Sequence, residues 1–165
     1  MRRQDREIAD INDKLDIIKK CKVCRLGLSE NNIPYIVPLN FGYTYKNSTL
    51  TLFFHSALEG KKLEIIKNNN KACFEIDCGT ELVKGEKACS HGYIFRSVIG
   101  FGEIHFLDSR DDKIHALNII MEHQTEKDAI YAFTDDELKN VQLYKMDVDT
   151  FTGKQRQSPP KQDTT

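Results

Sequence analysis

Residues 93–107 read "YIFRSVIGFGEIHFL", a long apolar run interrupted by two glycines. It spans about fifteen residues, where an ordinary strand takes about five or six. Gly100 and Gly102 suggest a strand that bends sharply at a barrel corner. On its N-terminal side "KACFEIDC" (71–78) follows an Asn-rich break and reads as another strand,. On its C-terminal side Asp108 and Ser109 are suited to cap a helix through Met121. Thr134 and Glu137 have capping-box spacing for a second, short helix. "VQLYKMDVDTFTGKQ" (141–155) then alternates apolar and polar residues as a last strand,.

Further toward the N-terminus, "KVCRLGLSE" (22–30) and "NIPYIVPLNFGY" (32–43) are strands joined by Glu30, Asn31 and Asn32 in a tight turn, which predicts antiparallel pairing,. Pro34 and Pro38 donate no ladder hydrogen bond and belong at a sheet edge or a bulge. Tyr35, Val37 and Leu39 share one face of that strand, Pro38 and Asn40 the other. "STLTLFFH" (48–55) follows, with Leu50, Leu52 and Phe54 on one face and Thr51, Phe53 and His55 on the other,. Leu58, Leu63 and Ile66 mark the next helix. Ile8, Ile11, Leu15 and Ile18 predict an amphipathic helix over residues 5–19. About six mostly antiparallel strands with two or three peripheral helices make a mainly β, α+β chain. Such a sheet closes most economically into a small barrel. No β-α-β unit with a Gly-rich first turn is present, and "GFG" (100–102) belongs to a strand, so neither a Rossmann domain nor a P-loop is expected,.

The 165 residues suit a single domain over residues 1–154, with 155–165 a polar tail of disordered composition,. Twenty-four basic and 25 acidic residues leave a net charge of −1, which offers no basic field to nucleic acid or to an anionic membrane. The N-terminus has no apolar export segment, and no run approaches the roughly 20 residues of a membrane span. The expectation is a soluble cytoplasmic protein. Five Cys in such a chain imply reduced thiols rather than a disulfide framework. Cys21 and Cys24 have C-x-x-C spacing, with Cys78, Cys89 and His91 as further donors. The second C-x-x-C and the paired His of a structural zinc site are missing, so no metal is assigned.

The chemistry concentrates in "LFFHSALEGKK" (52–62). Ser56 offers a hydroxyl. Gly60 offers bare backbone at the expected first turn of a helix, where N–H groups lack partners and the macrodipole favours an anion. Lys61 and Lys62 add charged donors. The same residues also suit a solvated helix start, although lysines there oppose the dipole by a few tenths of a kcal/mol. His55 is the one group here whose charge changes near neutral pH. It reads either as a proton donor and acceptor or as a histidine packed at an interface.

"VPLNFGY" (37–43), "LFFHSALEGKKLEIIKNN" (52–69), "ACFEID" (72–77), "RSVIGFGEI" (96–104) and "TGK" (152–154) occur in that order. Together they resemble the pyridoxamine 5'-phosphate oxidase-like flavoproteins, and within them the 5-nitroimidazole resistance branch. The resemblance covers roughly residues 5–154. It implies a six-stranded split β-barrel that dimerises and binds FMN, or alternatively FAD, at the subunit interface. It places Ser56, Gly60, Lys61 and Lys62 at the cofactor phosphate, beside Phe54. It sets Val37, Pro38, Leu39 and Asn40 along the flavin ring, and Ser97 and Val98 near the phosphate or ribityl chain. Thr152, Gly153 and Lys154 close the site. His55 takes the position of an active-site histidine, and the implied reaction is flavin-dependent reduction of a small nitroaromatic acceptor. The substrate motif of true pyridoxamine phosphate oxidases, with its late arginine, is not visible in "DTFTGKQRQ" (149–157). Rival readings are a flavin-, FAD- or haem-binding barrel with little turnover, an oxidase-like enzyme of another substrate, and a structural dimer with an empty groove.

Overall fold

The computed structural model describes residues 3–85, 87–127 and 129–156, without the side chain of Cys89. The chain enters through a 3-10 turn (Gln4–Arg6), β1 (Glu7–Ile8) and α1 (Ile11–Lys20). β2 (Val23–Glu30), β3 (Ile33–Asn40), β4 (Gly42–Lys46), β5 (Thr49–Ser56), α2 (Lys61–Asn68) and β6 (Lys71–Val83) follow. A second 3-10 turn (Ala88–Ser90), β7 (Gly92–Leu107), α3 (Arg110–Thr125), α4 (Asp135–Lys139) and β8 (Gln142–Arg156) complete it. The described residues form two compact units. The larger holds Lys22–Glu75 and Ile99–Phe151, and the smaller holds the described parts of 1–21, 76–98 and 152–165.

The mainly antiparallel fold with peripheral helices is as expected, with eight described strands in place of six. "NIPYIVPLNFGY" divides at Phe41 into β3 and β4, and β1 is a two-residue addition. The strands follow the order β3-β2-β6-β7-β8-β5-β4, which leaves β3 and β4 as edges, so the sheet is not closed. Pro34 and Pro38 thus lie on an edge strand, where a missing N–H costs least. Asn31 (φ 51°) and Asn32 (φ 64°) form the two-residue turn between β2 and β3, and Asn47 (φ 50°) and Ser48 (φ 63°) that between β4 and β5. Positive φ at both central residues matches the twist of the strands they join.

In the larger unit Leu26, Leu50, Leu52, Phe54, Phe74, Tyr144 and Met146 are fully buried. Burying each such apolar side chain stabilises the fold by roughly 1.5–3 kcal/mol before entropy is charged. α3 covers the opposite face of β5, where Phe53 packs with Ala116, Ile119, Ile120 and Leu143. Sequence alternation sets Phe53 with His55 on the face away from Leu50, Leu52 and Phe54. Phe53 is nonetheless buried, because a helix distant in sequence covers it. β7 runs unbroken for 16 residues, and neither Gly100 nor Gly102 has positive φ. These glycines serve close approach: a Cβ at Gly100 would strike the Phe74 ring, and one at Gly102 the Asp147 carbonyl.

In the smaller unit α1 begins at Ile11 rather than near Asp5. Glu7 and Ile8 are drawn into pairing with Lys154 and Gly153, and Asp10 caps the helix by accepting from the Asn12 N–H at 2.7 Å. Ile8, Ile17 and Ile18 are buried. Arg96 donates to Asp16 at 2.9 Å and to the Asp13 carbonyl at 3.2 Å. β8 continues through Arg156, and the remainder of the expected tail lies outside the described residues. Among the described residues no helix is long and apolar enough to cross a membrane.

Candidate functional site

β5 positions His55 by simple alternation. Leu50, Leu52 and Phe54 point to the core, Phe53 points under α3, and His55 is exposed two residues beyond Phe53 on the same face. Neither ring nitrogen is engaged by another described residue. The flanking protein desolvates the ring and Lys62 adds a positive charge, and both hold the imidazole below its ordinary value near 6.5,. Both causes favour the neutral imidazole.

Five residues later the chain reaches Gly60 at φ 141° and ψ 157°, a conformation open essentially to glycine alone,. Its carbonyl accepts from the Leu63 N–H at 2.9 Å and the Glu64 N–H at 3.3 Å, which starts α2. No side chain caps the helix, so the first-turn N–H groups stay available. The two lysines differ. Lys61 is bound to the Glu30 carboxylate, which it depresses while its own pKa rises, and it lies 4.0 Å from Glu64. Lys62 has no carboxylate partner among the described residues. The Ser56 hydroxyl donates to the Ala57 carbonyl at 2.9 Å. Tyr144, buried near Ser56, has a hydroxyl without a partner in full hydrogen-bond geometry among the described residues and a pKa raised by burial. Sequence reading missed both Glu30 and Tyr144. The first looked like turn chemistry, and the second is one apolar position in an alternating strand.

On β3, Val37 and Leu39 are half-buried while Pro38 and Asn40 are exposed, the alternation expected. The Asn40 amide donates to the Lys22 carbonyl and to Gln124, both at 3.1 Å. Gln124 in turn donates to the Lys22 and Phe41 carbonyls, so Asn40 is part of the tie between the edge strand and the end of α3.

Ser97, Val98, Thr152, Gly153 and Lys154 fall in the smaller unit. Ser97 is half-buried and Val98 fully buried. Gly153 is small because Ile8 and Lys14 pack against it. Thr152 is exposed, and the Lys154 ammonium sits 5.9 Å from the Phe95 ring centre.

The other histidines have structural surroundings. Buried His123 meets the Phe41 carbonyl at 2.8 Å, and His115 lies edge-on to Phe53. His105 is 3.9 Å from Asp147. Among the described residues no three His, Cys, Asp or Glu converge as metal ligands.

A family profile described as pyridoxamine 5'-phosphate oxidase matches residues 11–155. Among solved structures the chain is similar to a provisionally named 5-nitroimidazole antibiotic resistance protein of Bacteroides thetaiotaomicron. That match has 34% identity and TM-score 0.76, and covers 90% of this chain and 85% of that one. The FAD and haem binding protein of Mycobacterium smegmatis superposes with TM-score 0.81 at 16% identity, covering 95% of this chain and 76% of that one. The flavocytochrome Anf3 of Azotobacter vinelandii does so with TM-score 0.79 at 17% identity, covering 99% and 75%. At these lower identities the likeness is one of fold. No curated protein sequence matches the chain.

Proposed function

The chain belongs to the pyridoxamine 5'-phosphate oxidase family, and from that premise we propose that it is a flavin-dependent oxidoreductase, holding FMN by its phosphate at the start of α2. The observation that carries this reading is the uncapped helix start at Gly60 beside the unpartnered Lys62. A phosphate there receives first-turn N–H groups, a charge-assisted bond from Lys62 and the Ser56 hydroxyl. Lys61 contributes less than its neighbour, since Glu30 already holds it. FAD is the alternative cofactor, because the family fold is shared with proteins named for FAD binding.

Bound there, the flavin supplies the electron transfer between a reductant and a small acceptor. The protein's part is position, water exclusion and protons. Neutral His55, with unengaged Nδ1 and Nε2, accepts or delivers a proton beside the ring. Val37, Pro38, Leu39 and the backbone at Asn40 line the ring. The similarity to a 5-nitroimidazole resistance protein supports a nitroaromatic acceptor. We also propose a homodimer with cofactor sites at the subunit interface. The apolar Ile33 and Ile36, each 69% exposed on β3, suit burial by a second copy,.

A second reading, a flavin- or haem-binding protein with little turnover, is favoured by the fold shared with a flavocytochrome, since fold alone does not determine activity. The absorption spectrum of the purified protein after reconstitution separates the two. Flavin bands, and faster flavin reoxidation by a nitroimidazole in the native protein than in His55→Ala, support the reductase. Flavin bands without nitroimidazole-dependent reoxidation support the binding protein, and a protein left colourless by FMN and FAD sinks both flavin readings.

A further inference from the structure

Phe54 of β5 stands directly opposite Tyr144 of β8, and Ser56 follows Phe54 on the same face. The Phe54 and Tyr144 rings stack at 5.6 Å between centroids, and Phe106 meets Tyr144 edge-on at 6.2 Å. A phenylalanine would fill this stack equally well, so packing does not account for the hydroxyl. Tyr144 is 0% exposed, and its Oη is one of two buried side-chain polar atoms without a partner among the described residues. Such an atom destabilises the fold that buries it. The hydroxyl does have a neighbour. Ser56, diagonal to it across the strand pair, is near enough to act on the phenol as a side-chain hydrogen-bond neighbour, although the pair falls outside full hydrogen-bond geometry. Burial keeps the phenol protonated, hence a donor, while Ser56 spends its own proton on the Ala57 carbonyl.

Ser56 ends β5, four residues before Gly60 and the uncapped start of α2 that carries Lys62. A buried donor without a full hydrogen bond, behind a half-buried hydroxyl, is what a relay toward a bound acceptor requires. We propose that Tyr144 is a positioning residue for the anion held at the start of α2. Its hydroxyl donates to Ser56 Oγ as Ser56 turns its own proton from the Ala57 carbonyl to a phosphate oxygen. This rests on the flavin-phosphate reading above. Each bond in such a chain strengthens the next, because an oxygen that accepts a hydrogen bond donates a better one.

Affinities for FMN and for riboflavin, the same ring without phosphate, test the relay in the full chain. Tyr144→Phe is expected to weaken FMN binding about 5–10-fold, a loss of the size of one hydrogen bond, with riboflavin unchanged. Tyr144→Phe combined with Ser56→Ala is expected to bind FMN no more weakly than Ser56→Ala alone. Ligand-free Tyr144→Phe should melt at or above the native temperature, since an unsatisfied group has gone. Unchanged FMN affinity, or an equal loss for both flavins, overturns the relay, the second because it marks a residue that merely packs. If neither flavin binds the native protein, the flavin reading alone falls, and inorganic phosphate becomes the probe. A phosphate-induced rise in melting temperature that shrinks in Tyr144→Phe keeps the relay. No rise, or the same rise in both proteins, overturns it.

Discussion

Two helices of the larger unit begin in opposite ways. At α3, Ser109 accepts the Asp112 N–H at 3.1 Å and donates to the Asp112 carboxylate at 2.6 Å. Asp111 and Asp112 sit in the first turn, where the dipole favours negative charge,. At α2 the corresponding place holds Gly60 with no side-chain cap, followed by Lys61 and Lys62, with Glu64 the one acidic residue of the first turn. The first helix closes its own terminus and needs nothing further. The second leaves donors unmet and sets positive charge against the positive end of the dipole, a mismatch that an anion removes. On the proposed function, stability and binding are thus divided between two helix starts of one unit.

Gly60→Ala strikes the proposed binding start hardest. A Cβ there has room, its nearest neighbour being Lys62 Nζ at 4.0 Å, so the penalty comes from the backbone at φ 141°. Holding alanine in that region costs roughly 1–3 kcal/mol. Urea denaturation of the ligand-free protein measures it, and a loss within about 0.5 kcal/mol would mean that the loop relaxes and the glycine is dispensable.

Next in size is the difference between the lysines. Lys62→Ala should weaken FMN by about tenfold or more, the range of a charged hydrogen bond. Lys61→Ala should weaken it less, because Glu30 already occupies that ammonium. Fluorescence quenching of the flavin titrates both variants. The reverse order would show that Lys61 leaves Glu30 when the cofactor arrives.

Ser109→Ala tests the other helix start. Losing the cap should cost about 1 kcal/mol of stability and leave flavin affinity alone. Changed flavin affinity in this variant would dissolve the division between the two starts.

What could be read from sequence followed the reach of the interactions. Ser109 and the Thr134–Glu137 capping box are chemistry within three residues, and both form. Asn31 and Asn32 form the expected turn because asparagine tolerates positive φ,. The edge placement of Pro34 and Pro38 followed from a missing N–H alone. Long-range partners were invisible. Phe53 pointed away from the Leu50 face as expected, but nothing local announced that α3 would cover it. The Lys61–Glu30 pair spans 31 residues and the Asn40–Gln124 bond 84, and each gives a structural partner to a residue that the family resemblance assigns to the cofactor.

The smallest expected effect isolates the electrostatics of the α2 start without any ligand. Desolvation is the larger cause of the lowered His55 pKa and the Lys62 charge the smaller. Lys62→Ala should therefore raise the His55 pKa part of the way toward its ordinary value, leaving the part due to burial. The sign for stability follows. With the folded pKa below the unfolded one, the unfolded chain binds more protons between the two values, so stability rises with pH through that window and is complete above it. Removing Lys62 narrows the window. The exposure of His55 keeps the effect small,, so a proton-detected titration of the imidazole is a better readout than a melting curve. A His55 pKa that stays put or falls in Lys62→Ala would mean that the lysine's charge does not reach the ring, and that the helix start and the proposed proton carrier act independently.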